Sequence, residues 1–144
     1  MPQPDEAPLL IFDLDGTVLR VNSFPRWALC MATARVRGPR LGARLRLALQ
    51  AQTLLARRKL GRTHHEALLA DLSAAWRAAC GPVAEQAGAA FAAGLLRHVR
   101  PELAGVLDRV ARGDADAVLA TAASEDYARA LGRALGFFHV LASD

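Results

Sequence analysis

Residues Pro8 to Phe12 form an unbroken apolar run that stops at Asp13. A half-buried strand alternates polar and apolar side chains. A run without alternation belongs to a strand covered on both faces, as in a parallel sheet. Parallel neighbours cannot be joined by a tight turn, so a crossover, usually helical, must separate each strand from the next. The remaining sequence has the material for such crossovers. Asp116 to Thr121 and Phe137 to Ala142 are further apolar strand candidates, and between them Ser124 caps a helix that ends at Gly136. Pro101 to Arg112, closed by Gly113, is a helix leading into the second strand. The order strand, helix, strand, helix, strand argues an α/β fold with a parallel sheet and right-handed crossovers.

The first crossover is far longer than the others, and its pattern is helical throughout. Ser23 precedes Phe24 and Pro25, a capping signal for a helix running to Arg37 before Gly38-Pro39. A second helix spans Arg40 to Leu60, with Gly61 as its stop, and Thr63 to Glu66 reads as a capping box opening a third that runs to Gly81-Pro82. In that box Glu66 has a structural role, and the adjacent His64 and His65 diverge by about 100° on a helix, which argues against a shared metal. Val83, Ala87, Phe91 and Leu95 mark a fourth helix, so that residues 22–99 form an all-helical insert. On the second helix Leu41, Leu45, Ala48, Leu49, Gln52 and Leu55 make the stripe expected to pack, leaving Leu47 and Leu54 among arginines, where they could touch a membrane surface or a partner.

Charge is concentrated in the same insert. From Arg20 to Arg62 the chain carries Arg26, Arg35, Arg37, Arg40, Arg44, Arg46, Arg57, Arg58 and Lys59 with no acidic residue between them, within a net charge of +4. Such a cluster suits an anionic membrane or protein partner. A nucleic-acid partner is not expected, because Trp27, Trp76 and the phenylalanines fit core stripes and leave no aromatic stacking surface. Lys59 is the only lysine, so coding bias accounts for the arginine excess as readily as a ligand does. No apolar run approaches the roughly 18 residues of a membrane span, and the polar start MPQPDEAP does not resemble a signal peptide, so a cytoplasmic location is expected. Cys30 and Cys80 lie in alanine-rich helical patterns without ligand-spaced His or Asp, and are expected as buried free thiols.

Ligands of open parallel sheets bind beyond the carboxyl ends of the strands, where Asp13, Asp15 and Thr121 fall. Asp and Gly are common in strand-end turns, and two aspartates spaced by one residue are a weak signal alone. The longer string Phe12-Asp13-Leu14-Asp15-Gly16-Thr17-Val18, after an apolar strand, resembles the first motif of the haloacid dehalogenase (HAD) superfamily, dominated by magnesium-dependent phosphohydrolases. Val118-Leu119-Ala120-Thr121 resembles its second motif. With the helical insert between them, the chain looks like the branch with a helical cap after the first motif, as in phosphoserine phosphatases and HAD-like domains fused to prenyltransferases. The resemblance implies a partial Rossmann-like core over residues 1–21 and 100–144 with an all-helical cap at 22–99.

It also implies roles. Asp13 would be the nucleophile that forms an aspartyl phosphate, and Asp15 the general acid and base, able to protonate the leaving alcohol and then activate water. Mg²⁺ would be held by the Asp13 carboxylate and the Asp15 backbone carbonyl. Thr121 and the amides near Ala122 would bind the phosphoryl group, aided by the positive end of the helix starting at Ser124. The substrate would be a small phosphomonoester, with Arg20 and Arg26 near enough to the first motif to reach an anionic group on it.

Two parts of the family pattern are missing. No Lys or Arg stands where the third motif belongs, since Arg129 and Arg133 come too early, and the acidic fourth motif is absent; Asp144 lies in a segment resembling the one before the third motif. The chain alone is therefore expected to be a weak or inactive phosphatase, either a fragment or completed by a partner chain along the open edge of its first strand. The alternative is a non-catalytic remnant whose Arg-rich helices bind an anionic membrane or a protein.

Overall fold

The structure is a computed structural model that describes residues 9–144. Strand β1 (Leu10–Phe12) is followed by helices α1 (Ser23–Ala32), α2 (Leu41–Lys59), α3 (His65–Cys80) and α4 (Ala84–Leu95). After them come α5 (Ala104–Ala111), β2 (Ala117–Ser124), α6 (Glu125–Ala134) and β3 (His139–Ser143). Pro8, placed at the start of the first strand by the sequence, and the polar leader before it lie outside the described residues. The strands form one parallel sheet in the order β1-β2-β3, with Phe12 opposite Leu119 and Leu119 opposite Val140. No described helix is long and apolar enough to cross a membrane.

The mixed α/β architecture is as expected, but β1 is not covered on both faces. Helix α6 lies on one face of the sheet, so close that a side chain at Gly132 would collide with Val140. Leu119 points to that face and is fully buried. Ile11 alternates to the opposite face and is 70% exposed, as Leu141 is at 65%. An unbroken apolar run thus signals burial on both faces only when a second layer is present, and among the described residues none covers Ile11.

The helical segment departs from expectation at three places. Helix α1 stops at Ala32, short of Arg37, and α2 binds the segment there: Arg44 donates from Nε and Nη2 to the Ala34 carbonyl (2.9 and 2.7 Å), and Gln52 donates to the Ala32 carbonyl (2.8 Å). The chain turns there with Ala34 at φ +55°. Its N-cap is Asn22, whose side chain accepts from the Phe24 amide, and not Ser23, which lies inside the helix and is buried.

Those bonds from Arg44 and Gln52 also set the rotation of α2. Its buried face is Leu47, Ala48 and Ala51, with Leu54 and Leu55 packed beside them, while Leu41, Leu45 and Leu49 are 63%, 55% and 67% exposed. Of the expected stripe, Ala48 and Leu55 pack inward while Leu41, Leu45 and Leu49 turn outward; of the leucines expected to be free, Leu47 is in the core and Leu54 packs against it. With leucines on both sides, periodicity alone does not choose between them; the small Ala48 and Ala51 and the anchors to α1 do.

Finally, no capping box opens α3. His64 is its N-cap without a side-chain bond, and the His65 ring packs edge-on against Phe24 at 4.8 Å. The Thr63 carbonyl instead accepts from Arg58.

One contiguous core joins the helices to the sheet. At its centre Trp27 packs against Trp76 (5.6 Å) and Tyr127 (5.4 Å), and Phe91 meets Tyr127 edge-on at 5.0 Å. Cys80 is buried, Cys30 half-buried, and both are free thiols.

Candidate active site

The loop after β1 is built by alternating burial. Leu14, Val18 and Leu19 are fully buried and anchor it, so that Asp13 is exposed and Asp15 half-exposed at the carboxyl end of the strand. The Val18 amide donates to the Asp13 carbonyl (3.3 Å) and the Leu19 amide to Leu14 (2.8 Å), closing the loop. Gly16 sits at φ +78°, a conformation costly for a residue with a Cβ. The segment returning from α4 then clamps the loop: Arg20 donates from its amide to the His98 carbonyl (3.0 Å), the Arg100 amide to Val18 (2.9 Å), and the Arg100 guanidinium to the Gly16 carbonyl (3.0 Å).

The two aspartates have different surroundings. The Asp13 carboxylate makes no hydrogen bond or ion pair among the described residues. Asp15 accepts from the Ser23 amide at Oδ1 (2.9 Å) and from the Ser23 hydroxyl at Oδ2 (3.1 Å). The Ser23 hydroxyl in turn lies 2.7 Å from the Tyr127 hydroxyl, and both side chains are buried. Burial above all, with the Asp15 charge adding to it, pushes the Tyr127 phenol well above its ordinary range against the opposing effect of its bond to Ser23, so Tyr127 keeps its proton. With the Ser23 proton directed at Asp15, Tyr127 donates to Ser23. The chain of donors ends on Asp15 and holds its carboxylate in one orientation.

Thr121 lies on the neighbouring strand, one residue beyond the position facing Asp13 in the parallel register. It does not end β2. The strand continues to Ser124 with a register irregularity after Ala120 that frees this stretch from regular pairing. Thr121 Oγ1 accepts from the Ala123 amide (3.1 Å), which leaves its hydroxyl proton free to donate, and Ala122 is exposed. Ser124 caps α6 by accepting from the Asp126 amide, as expected. The positive end of α6 is, however, already complemented by its own first turn. Glu125 and Asp126 stand there, paired with Arg77 of α3 at 3.2 and 2.9 Å, and Ser73 meets Ser124 at 3.0 Å.

Sequence reasoning placed Arg20 and Arg26 beside the first motif. Arg20 instead donates to the Arg97 carbonyl, and Arg26 lines a cleft between α1 and α4. The guanidinium that does reach the loop is Arg100, which was not singled out. Neither were Ser23 in its bond to Asp15 nor Tyr127. Tyr127 is the only tyrosine of the chain, and its place on the apolar face of α6 was the one available signal.

Among solved structures, a protein of unknown function from Bordetella pertussis Tohama I matches with a TM-score of 0.64 and 23% identity over 96% of this chain, which spans 61% of that structure's length. That likeness establishes the fold. No curated protein matches the chain. The family described as haloacid dehalogenase-like hydrolase matches residues 10–144, the whole stretch from β1 through the two aspartates, Thr121 and β3. The chain therefore belongs to the haloacid dehalogenase-like hydrolase family.

Proposed function

We propose that this hydrolase acts on a small phosphomonoester through an aspartyl phosphate on Asp13, with residues 22–99 as a cap over a core formed by 1–21 and 100–144. What carries the reading is the pairing of an unengaged carboxylate at Asp13 with one held in place two residues on. In the first half-reaction an Asp13 oxygen bonds phosphorus as the ester P–O bond breaks, and Asp15 gives its proton to the departing alkoxide. In the second, Asp15 takes a proton from water as that water displaces phosphate from Asp13. Thr121, with a free hydroxyl proton, donates to a phosphoryl oxygen, and the exposed amide region at Ala122 lies beside it.

The donor set fits Mg²⁺, a hard cation that keeps several waters and needs few protein oxygens. The Asp13 carboxylate and the Asp15 backbone carbonyl would hold it; no cluster of three or more candidate ligand side chains stands here or elsewhere among the described residues, so waters and the phosphate would complete the shell. When bound, it would offset the repulsion between carboxylate and phosphate. Hydrolysis of p-nitrophenyl phosphate tests the reading: activity should require Mg²⁺ and vanish in Asp13→Asn, and Mg²⁺-dependent activity surviving that substitution would overturn it.

A second reading is favoured by one observation. The outward face of α2 carries Leu41, Leu45 and Leu49 beside Arg46, Arg57 and Lys59, an arrangement suited to the surface of an anionic membrane. Co-sedimentation with vesicles containing phosphatidylserine should then fall in Leu45→Asp and with added salt; binding indifferent to both would exclude it.

A further inference from the structure

A cleft of about 380 Å³ lies between α1 and α4 with Trp76 of α3 in its wall. None of Asp13, Asp15 and Thr121 lines it. Its volume is within the range of roughly 300–1,000 Å³ usual for small-molecule sites. Trp76, Phe91 and Leu95 supply apolar wall. Arg26, Arg35, Arg37 and Arg97 also line it, no carboxylate does, and none of these four guanidiniums has an ion pair among the described residues.

Two further features belong to this part of the molecule. The Trp76 indole N–H is buried with no hydrogen-bond partner among the described residues, as is that of Trp27 beside it. At the cleft's end the Arg97 Nε donates to His98 Nε2 (3.3 Å), which requires an unprotonated imidazole there. His98 is held below its ordinary range by desolvation and then by the charges of Arg26, Arg97 and Arg20. Four exposed guanidiniums thus ring an apolar cleft whose lining holds no carboxylate.

We infer that this cleft binds a small amphipathic anion, with an apolar body against Trp76, Phe91 and Leu95 and a carboxylate or phosphate head among the arginines. An inorganic anion alone would leave the apolar wall wet, and a neutral hydrocarbon would leave the guanidiniums unpaired. The body touches the aromatic layer that also contains Trp27 and Tyr127.

Octanoate is a suitable probe, followed by calorimetry and by the emission of Trp27 and Trp76, the two tryptophans of the chain. Binding should be saturable at one site and change the emission. Acetate, lacking the body, and octanol, lacking the charge, should each bind at least about tenfold more weakly, as should octanoate to the double variant Arg35→Gln/Arg97→Gln. Gly94 lines the cleft, and a Cβ there meets nothing within 4 Å, so Gly94→Leu should keep the fold and weaken binding. Non-saturable uptake, equal affinity for octanol, or full affinity in the arginine variant would each overturn the inference. The readout needs no hydrolysis, so it stands or falls independently of the chemistry at Asp13.

Discussion

Asp13 and Asp15 were legible in the sequence because their positions follow from one local pattern, a strand running into a turn. Ser23 and Tyr127 were not. Ser23 stands where a local capping signal is strong, and its bonds to Asp15 and to a tyrosine 104 residues away depend on how α1 and α6 pack. The network predicts an asymmetry. Ser23→Ala leaves the buried Tyr127 hydroxyl without a partner and should cost about 1–3 kcal/mol, whereas Tyr127→Phe leaves Ser23 bonded to Asp15 and should cost about 0.5–1.5 kcal/mol. Urea midpoints measure both, and equal losses would show that the donors are not chained. A second expectation concerns alkaline pH. Burial, then the charges of Asp126 and Cys30, push the Cys80 thiol from 9.0 to about 11, and Cys30 and Tyr127 are also raised, each chiefly by burial. The unfolded chain releases these protons first, so the stability these three groups contribute should be level below about pH 9 and fall as pH rises toward 11. Urea midpoints unchanged between pH 8 and 11 would contradict this.

The elements themselves were readable from periodicity and punctuation, and α2, α4 and α6 begin and end close to where Gly, Pro and Ser place them. Orientation was not. Helix α2 offers two leucine faces, and the choice is made by Arg44 and Gln52 reaching the end of α1, which no window of sequence contains. Leu47→Ala should therefore cost about 2–5 kcal/mol by opening a cavity, while Leu45→Ala, on the face that sequence alone favoured, should stay within about 0.5 kcal/mol. Thermal denaturation of the pair decides the rotation, and the reverse order would show α2 turned by half. Helix α4 meets α6 by close approach at Gly88, where an added Cβ would collide with the Asp126 carbonyl oxygen. Gly88→Ala should destabilise by roughly 1–3 kcal/mol despite the better helix propensity of alanine, because the clash is with backbone. A stabilised variant in the same denaturation experiment would mean that the helices are farther apart.

For the whole molecule, the parallel sheet and the helical segment after its first strand followed from the alternation of elements, whereas the bare sheet face did not. Ile11 and Leu141, which a buried strand would hide, mark a face that no described element covers. The sheet nonetheless brings the first aspartate and Thr121 to the same end, and the reading of this chain as a phosphatase depends on covalent chemistry at that end. The most direct measurement is borohydride trapping followed by peptide mass spectrometry after incubation with p-nitrophenyl phosphate and Mg²⁺. In Asp15→Asn the nitrophenolate leaves without needing a proton, but the water step loses its base, so the phosphoryl group should accumulate on Asp13 and be reduced to homoserine there. That mass change at position 13, absent from the Asp13→Asn/Asp15→Asn double variant, is the expected result; nitrophenol release with an unmodified Asp13 would contradict it.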